Sequence, residues 1–215
     1  TVIGGNGAGK STLLNAVAGV YSVDAGSVII DGTDVTRLPE YKRAKYIGRV
    51  FQDPMMGTAA TMGIDENLAL AARRGKRRGL RWGVSRREKM DYVELLRDLG
   101  LGLETRITSK VGLLSGGQRQ AITLLMAALQ KPKLLLLDEP VTGLDPVATG
   151  ELYNLIKLVN LCSDITVIMV THDIDAALRY ATHVLHLGHQ QLFYGTAADY
   201  KQSDAARRFL GGRKV

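Results

Sequence analysis

Gly4-Gly5-Asn6-Gly7-Ala8-Gly9-Lys10-Ser11-Thr12 is the stretch from which the rest of the chain can be read. It fits G-x-x-x-x-G-K-[ST], a loop that cradles phosphate. Gly4, Gly7 and Gly9 carry no side chain, so backbone N–H groups can curl around phosphate oxygens. Lys10 is spaced to reach the β- and γ-phosphates, and the Ser11 hydroxyl to ligate Mg²⁺. The context agrees. Thr1-Val2-Ile3 reads as the tail of a buried strand. Leu13, Leu14, Val17 and Ala18 read as a helix that stops at Gly19. That helix points its positive end at the same anion.

A chain of 215 residues makes one large domain, or a domain with a subdomain. Apolar content of 46% and charged content of 23% are ordinary for a soluble globular protein. No apolar run approaches the roughly 20 residues of a membrane span, and no secretory leader opens the chain. Cys162 is the single cysteine, so no internal disulfide forms, and a cytosolic address fits. A net charge of +7 is compatible with nucleic acid, anionic lipid or a phosphorylated ligand, and does not choose among them.

Val28 to Ile30 is a short β-branched run followed by Asp31-Gly32, a hairpin signal. Tyr41, Ala44 and Tyr46 recur at rough helical spacing. Ile47 to Phe51 reads as a strand delivering Gln52, and Asp53-Pro54 breaks it. From Thr61 to Leu101 the pattern is helical, with Ile64, Leu68 and Ala72 on one face and Met90, Val93, Leu96 and Leu99 on another. Between them lies the most basic stretch, Arg73 to Lys89, with Trp82 inside it. It reads either as a solvated loop or as a contact with anionic lipid or an acidic partner. An RNA arm fits less well, since no other aromatic is interleaved.

Leu114-Ser115-Gly116-Gly117-Gln118 opens the apolar helical run Ala121 to Leu129. Leu134 to Leu137 suits a strand buried on both faces and runs into Asp138-Glu139-Pro140. Pro146 starts a helix with core face Leu152, Leu155, Ile156 and Val159. Ile165 to Val170 is a strand, and Asp173 caps the helix through Leu178. Val184–Leu187 and Gln191–Tyr194 make a closing hairpin, and the basic tail from Arg207 reads as frayed.

Three strand ends then carry chemistry. Asp138 is the expected holder of Mg²⁺, and Glu139 can accept a proton from water. Gln52 and His172 also fall at strand ends, where a γ-phosphate or its water lies.

With these motifs in order, the sequence resembles the ATP-binding cassette family over its whole length. The pentapeptide Leu114 to Gln118 matches the family's signature, Gln52 its glutamine loop, and Leu137 to Pro140 its Walker B strand with the adjacent catalytic glutamate. Gly143-Leu144-Asp145 matches the D-loop, and His172 the switch histidine. The resemblance implies an α/β fold of the P-loop NTPase type: a mostly parallel central sheet, a helical signature subdomain and a small antiparallel β part. It implies a core of residues 1–53 and 115–215 and a helical subdomain of 54–114 that touches a membrane-spanning partner. ATP and Mg²⁺ are the implied cofactors. Gly4, Asn6, Gly7, Ala8, Gly9, Lys10, Ser11 and Thr12 are implied to hold nucleotide, together with Ser115, Gly116, Gly117, Gln118 and Asp145. Ser11, Gln52 and Asp138 are implied to hold the metal, with Glu139, His172 and Gln52 catalytic.

The family pattern further implies a head-to-tail homodimer with ATP between one phosphate loop and the opposite signature. The partners are permease subunits and a separate substrate-binding protein, not nucleic acid, and the place is the cytoplasmic face of the plasma membrane. The runs Arg49 to Thr58, Arg74 to Gly83 and Leu124 to Ala127 are similar to bacterial importer ATPases of a tryptophan/tyrosine-type or uncharacterised substrate group. The competing reading is a soluble cassette ATPase acting on ribosome or DNA. Such proteins carry two cassettes or a long coiled coil, and this chain shows one phosphate loop, one signature and no sustained heptads. Intact Glu139 and His172 argue against a non-hydrolysing regulatory cassette. The family pattern also has strands upstream of the loop, one with an aromatic that stacks on adenine. The expectation is therefore an N-terminally incomplete cassette with an exposed edge at Val28–Ile30.

Overall fold

The computed structural model describes residues 1–76, 83–98, 100 and 102–211, the last two by backbone alone. Strand β1 (Val2–Gly4) leads through the glycine loop into helix α1 (Lys10–Ala18). Strands β2 (Ile29–Ile30) and β3 (Thr33–Asp34) form a separate two-stranded hairpin. Asp31 (φ 49°) and Gly32 (φ 72°) are both left-handed, as a tight type I′ turn requires. Among the described residues no other strand pairs with this hairpin, and Ile29 is exposed. Helix α2 (Glu40–Arg43), strand β4 (Ile47–Val50), α3 (Ile64–Ala72) and α4 (Arg86–Asp98) follow. Then come α5 (Gly116–Ala128), β5 (Leu134–Asp138), α6 (Pro146–Ser163), β6 (Thr166–Val170) and α7 (Ile174–Tyr180). The hairpin β7 (His183–Leu187) and β8 (Gln191–Thr196) precedes α8 (Ala197–Gln202) and α9 (Asp204–Gly211).

The main sheet runs β4-β5-β6-β1-β7-β8. All neighbours are parallel except β7 and β8. Parallel strands put all their carboxyl ends on one rim, where α/β folds bind ligands. Register sets the rim finely: Val50 lies opposite Leu137, Asp138 opposite Val170, and Gly4 opposite Leu187. Leu134 to Leu137 is buried throughout, which a strand covered on both faces demands.

The helical segment has its own apolar cluster, in which Ile64, Leu68, Tyr92 and Leu96 meet Leu103, Val111 and Leu114. Helix α5 belongs to two clusters at once. Ile122 and Leu125 face α3 and α4, while Ala121, Leu124 and Ala127 face β4, β5 and α6. A shift of α5 is therefore felt on both sides, because packed interiors do not deform smoothly.

Two expectations need correction. On α4, Met90 is exposed, and the buried stripe is Tyr92 with Leu96. Tyr92 and Leu96 are one turn apart, whereas Met90 is turned well away from that pair. The segment from Arg207 is not frayed as far as Gly211: it is the second half of α9, whose Ala206 is buried against Tyr200 and Ala197. Leu99, residues 77–82 with Trp82, and residues 212–215 lie outside the described residues.

Candidate active site

The phosphate loop is built by backbone conformation. Gly7 (φ 77°) and Gly9 (φ 88°) are left-handed, with open space where a side chain would stand. Gly9 precedes α1 without any side-chain cap, so no side chain takes up the first-turn N–H groups. Gly4 differs from the expectation: a Cβ there would fall 2.2 Å from the Leu187 carbonyl oxygen, so β7 dictates the glycine. Lys10 is buried and its Nζ donates to the carbonyls of Gly4 and Gly5, each at 2.9 Å. The ammonium thus sits inside the loop, among open N–H donors. That donor set fits a polyphosphate.

Asp138 closes β5 on the same rim. Burial raises its carboxyl above the ordinary range, and adjacent Glu139 adds to the rise. The charge of Arg49 is the leading opposing influence, ahead of a hydrogen bond from Ser11 and the charge of Lys10. So Ser11 and Asp138 meet, two hard oxygen donors side by side. Among the described residues no cluster of three His, Cys, Asp or Glu could hold a metal by itself. A site of few protein oxygens suits Mg²⁺, which keeps water and phosphate oxygens in its shell.

Glu139 takes a left-handed backbone (φ 48°), unusual for a non-glycine residue, and its N–H donates to Val170 O at 3.0 Å. The turn throws its side chain toward the loop after β6, where His172 Nε2 stands 2.5 Å from Glu139 Oε1. Thr142 Oγ1 donates to Oε2 at 3.3 Å. Gln52 is exposed just beyond β4, and among the described residues its side chain has no hydrogen-bond partner. Asn6 and Thr12 are exposed on the loop and on α1.

Ser115 caps α5: its Oγ accepts from Gln118 N at 3.2 Å, and Gln118 Oε1 accepts from Ser115 N at 3.3 Å. Gly117 lets α5 approach α6, since a Cβ would meet that of Ala148 at 2.8 Å. Asp145 caps α6, accepting from Val147 N and Ala148 N at 2.9 Å. The neighbours of Gly116 and Gly117 are thus Leu144 and Ala148, at the start of α6 and not in the phosphate loop.

Arg49 was missed in the sequence. Its Nη2 donates to Asn15 Oδ1 at 2.6 Å, and its guanidinium lies 4.6 Å over the Phe51 ring. Asn15 is one turn beyond Ser11, so Arg49 backs the Ser11–Asp138 pair from inside. The available signal was a charged residue between the apolar positions of a buried strand. The basic stretch resolves partly: Arg73 pairs with Glu88 at 2.7 Å, and Lys89 with Asp65 at 3.4 Å.

The sequence pattern of the family described as "ABC transporter" matches residues 1–142. The tyrosine transport ATP-binding protein of Clostridioides difficile is 42% identical over 188 residues, covering 87% of this chain and 74% of that protein. The phosphonates import ATP-binding protein PhnC 2 of a Nostoc species is 36% identical, covering 94% and 82%. The dimeric post-hydrolysis structure of the ATP-binding cassette MJ0796, bound to ADP and Pi, superposes with a TM-score of 0.75 at 28% identity, covering 91% and 84%. With a phosphate loop and a Walker B carboxylate on one rim, and the family pattern matched over residues 1–142, this chain belongs to the ABC transporter family. It is an ATP-binding ATPase subunit of the importer type, a class that acts as dimers with membrane permeases.

Proposed function

We propose that this chain hydrolyses MgATP in a head-to-tail pair and so drives a separate permease. The observation that carries the reading is the 2.5 Å His172–Glu139 contact on the rim that holds Lys10, Ser11 and Asp138. The N–H groups from Gly7 to Ser11 take the phosphate oxygens, with Asn6, Ala8 and Thr12 completing the loop. Lys10 exchanges the carbonyls of Gly4 and Gly5 for the β- and γ-oxygens. Ser11, Asp138 and Gln52 would hold Mg²⁺, which when bound would neutralise phosphate charge. Glu139 accepts the proton of the attacking water, and His172 keeps the carboxylate aimed. Ser115, Gly116, Gly117 and Gln118 offer a helix start to the partner subunit's nucleotide, with Asp145 beside them. The dimer of MJ0796 with ADP and Pi supports that pairing.

Residues 54–114 then form the helical part that meets the permease, and α5 carries movement between it and the core. Among the described residues no helix is long and apolar enough to cross a membrane. In this reading the subunit sits peripherally on the cytoplasmic face, against the permease. The similarity to a tyrosine transport subunit favours an amino-acid importer with a separate binding protein. The test is Glu139→Gln. Nucleotide binding should persist while turnover falls by about 10²–10⁴, and MgATP should trap a dimer in gel filtration. Near-normal turnover would assign the base elsewhere.

A further inference from the structure

Glu139 is gripped at both carboxylate oxygens by different parts of the fold. His172, from the loop after β6, holds Oε1; Thr142, from the turn leading to α6, donates to Oε2. The backbone makes the second grip possible. Glu139 is left-handed, and Thr142 N–H donates back to Glu139 O at 3.2 Å, which folds Thr142 against the glutamate side chain. The far side of the turn is fixed by Leu144 N–H on Val141 O and by the Asp145 cap on α6. With His172 alone, the terminal torsion of the glutamate can rotate, because that torsion has only a shallow preference. A second donor on the other oxygen stops the rotation.

We propose that Thr142 is a positioning residue for Glu139, an inference that rests on the proposed role of Glu139 as base. Thr142 reaches no phosphate-binding group described above, so it acts on the chemical step and not on nucleotide affinity. Its side chain is exposed, so replacing it opens no cavity.

The experiment compares Thr142→Val, which keeps the shape and loses the hydroxyl, with Thr142→Ser, which restores the donor. Each is also placed in a Glu139→Gln background. In Thr142→Val, kcat should fall about tenfold, since small misplacements of a reacting group are costly. KM for ATP, fluorescent-nucleotide affinity and the thermal midpoint should not move. Thr142→Ser should return kcat to the parent value. In the Glu139→Gln background, Thr142→Val should cost nothing more, the non-additivity expected when one residue acts through another. Full turnover in Thr142→Val, a shift of KM with kcat, or an undiminished loss in the Glu139→Gln background overturns the assignment. Loss in Glu139→Gln with full turnover in Thr142→Val sinks Thr142 alone. Normal turnover in Glu139→Gln sinks the base and Thr142 together.

Discussion

Arg43 donates to four main-chain carbonyls: Leu38, Ala16 and Val17 at 2.8 Å, and Thr36 at 2.7 Å. Two of these belong to the last turn of α1, so a buried guanidinium satisfies a helix end that would otherwise lack partners. Gly19 completes the fit, because a Cβ there would lie 2.7 Å from Arg43 Nε. Arg43→Met leaves those carbonyls without a donor and should lower the unfolding free energy by about 1–3 kcal/mol, read as a shifted urea midpoint. His186 gives a second prediction. It is buried, meets the Tyr200 hydroxyl at 3.0 Å through Nδ1, and packs edge-on to Tyr200 and Phe209. Burial alone lowers its pKa, so the fold holds the neutral ring while the unfolded chain titrates near 6.5. The unfolded state then binds more protons in acid. The stabilisation is complete above about pH 6.5 and falls as pH drops from there toward the folded value. Unfolding midpoints from pH 7.5 to 5.5 should show that loss, and His186→Gln should flatten it. Neither residue was legible in the sequence, which showed an arginine in a polar stretch and a histidine in an ordinary strand. Lys10, Asp138, Glu139 and His172 were legible because each stands at a fixed offset from a strand or glycine loop.

Helix α6 begins with Pro146 behind Asp145, whose carboxylate takes two first-turn N–H groups. Asp145→Ala should cost about 1 kcal/mol, and Asp145→Asn, which keeps an acceptor oxygen, only a fraction of it. Thermal unfolding of the two variants separates the cap from any nucleotide role. The same start and stop signals made α6, β5 and the cap at Asp173 readable, since each is local. Where the signal was weak, the reading slipped. On α4 the sequence offers apolar residues on more than one face, and only packing against α3 selects Tyr92 and Leu96. On α9 the two arginines drew attention from Ala205, Ala206 and Phe209, which turn toward α8 and β7.

Across the molecule, the proposed function assigns phosphate and metal to separable groups: loop N–H and Lys10 would take the one, Ser11 and Asp138 the other. Chelating Mg²⁺ with EDTA should therefore abolish hydrolysis and leave weaker nucleotide binding that a fluorescent analogue detects. Equal loss of both would merge the two sets. Strand identities were readable in sequence, but strand order was not, because β1 finds its partners only through remote pairing. It lies between β6 and β7, so residues 2–4 are bonded to residues beyond 165. During synthesis the segment that binds phosphate emerges long before the strands that hold it. A ribosome must pass Leu187 before Gly4 can pair with it, and contacts this distant in sequence form slowly. A nascent chain halted before β7 has its motif written and β6 to pair with, but lacks the strand that closes the other edge of β1.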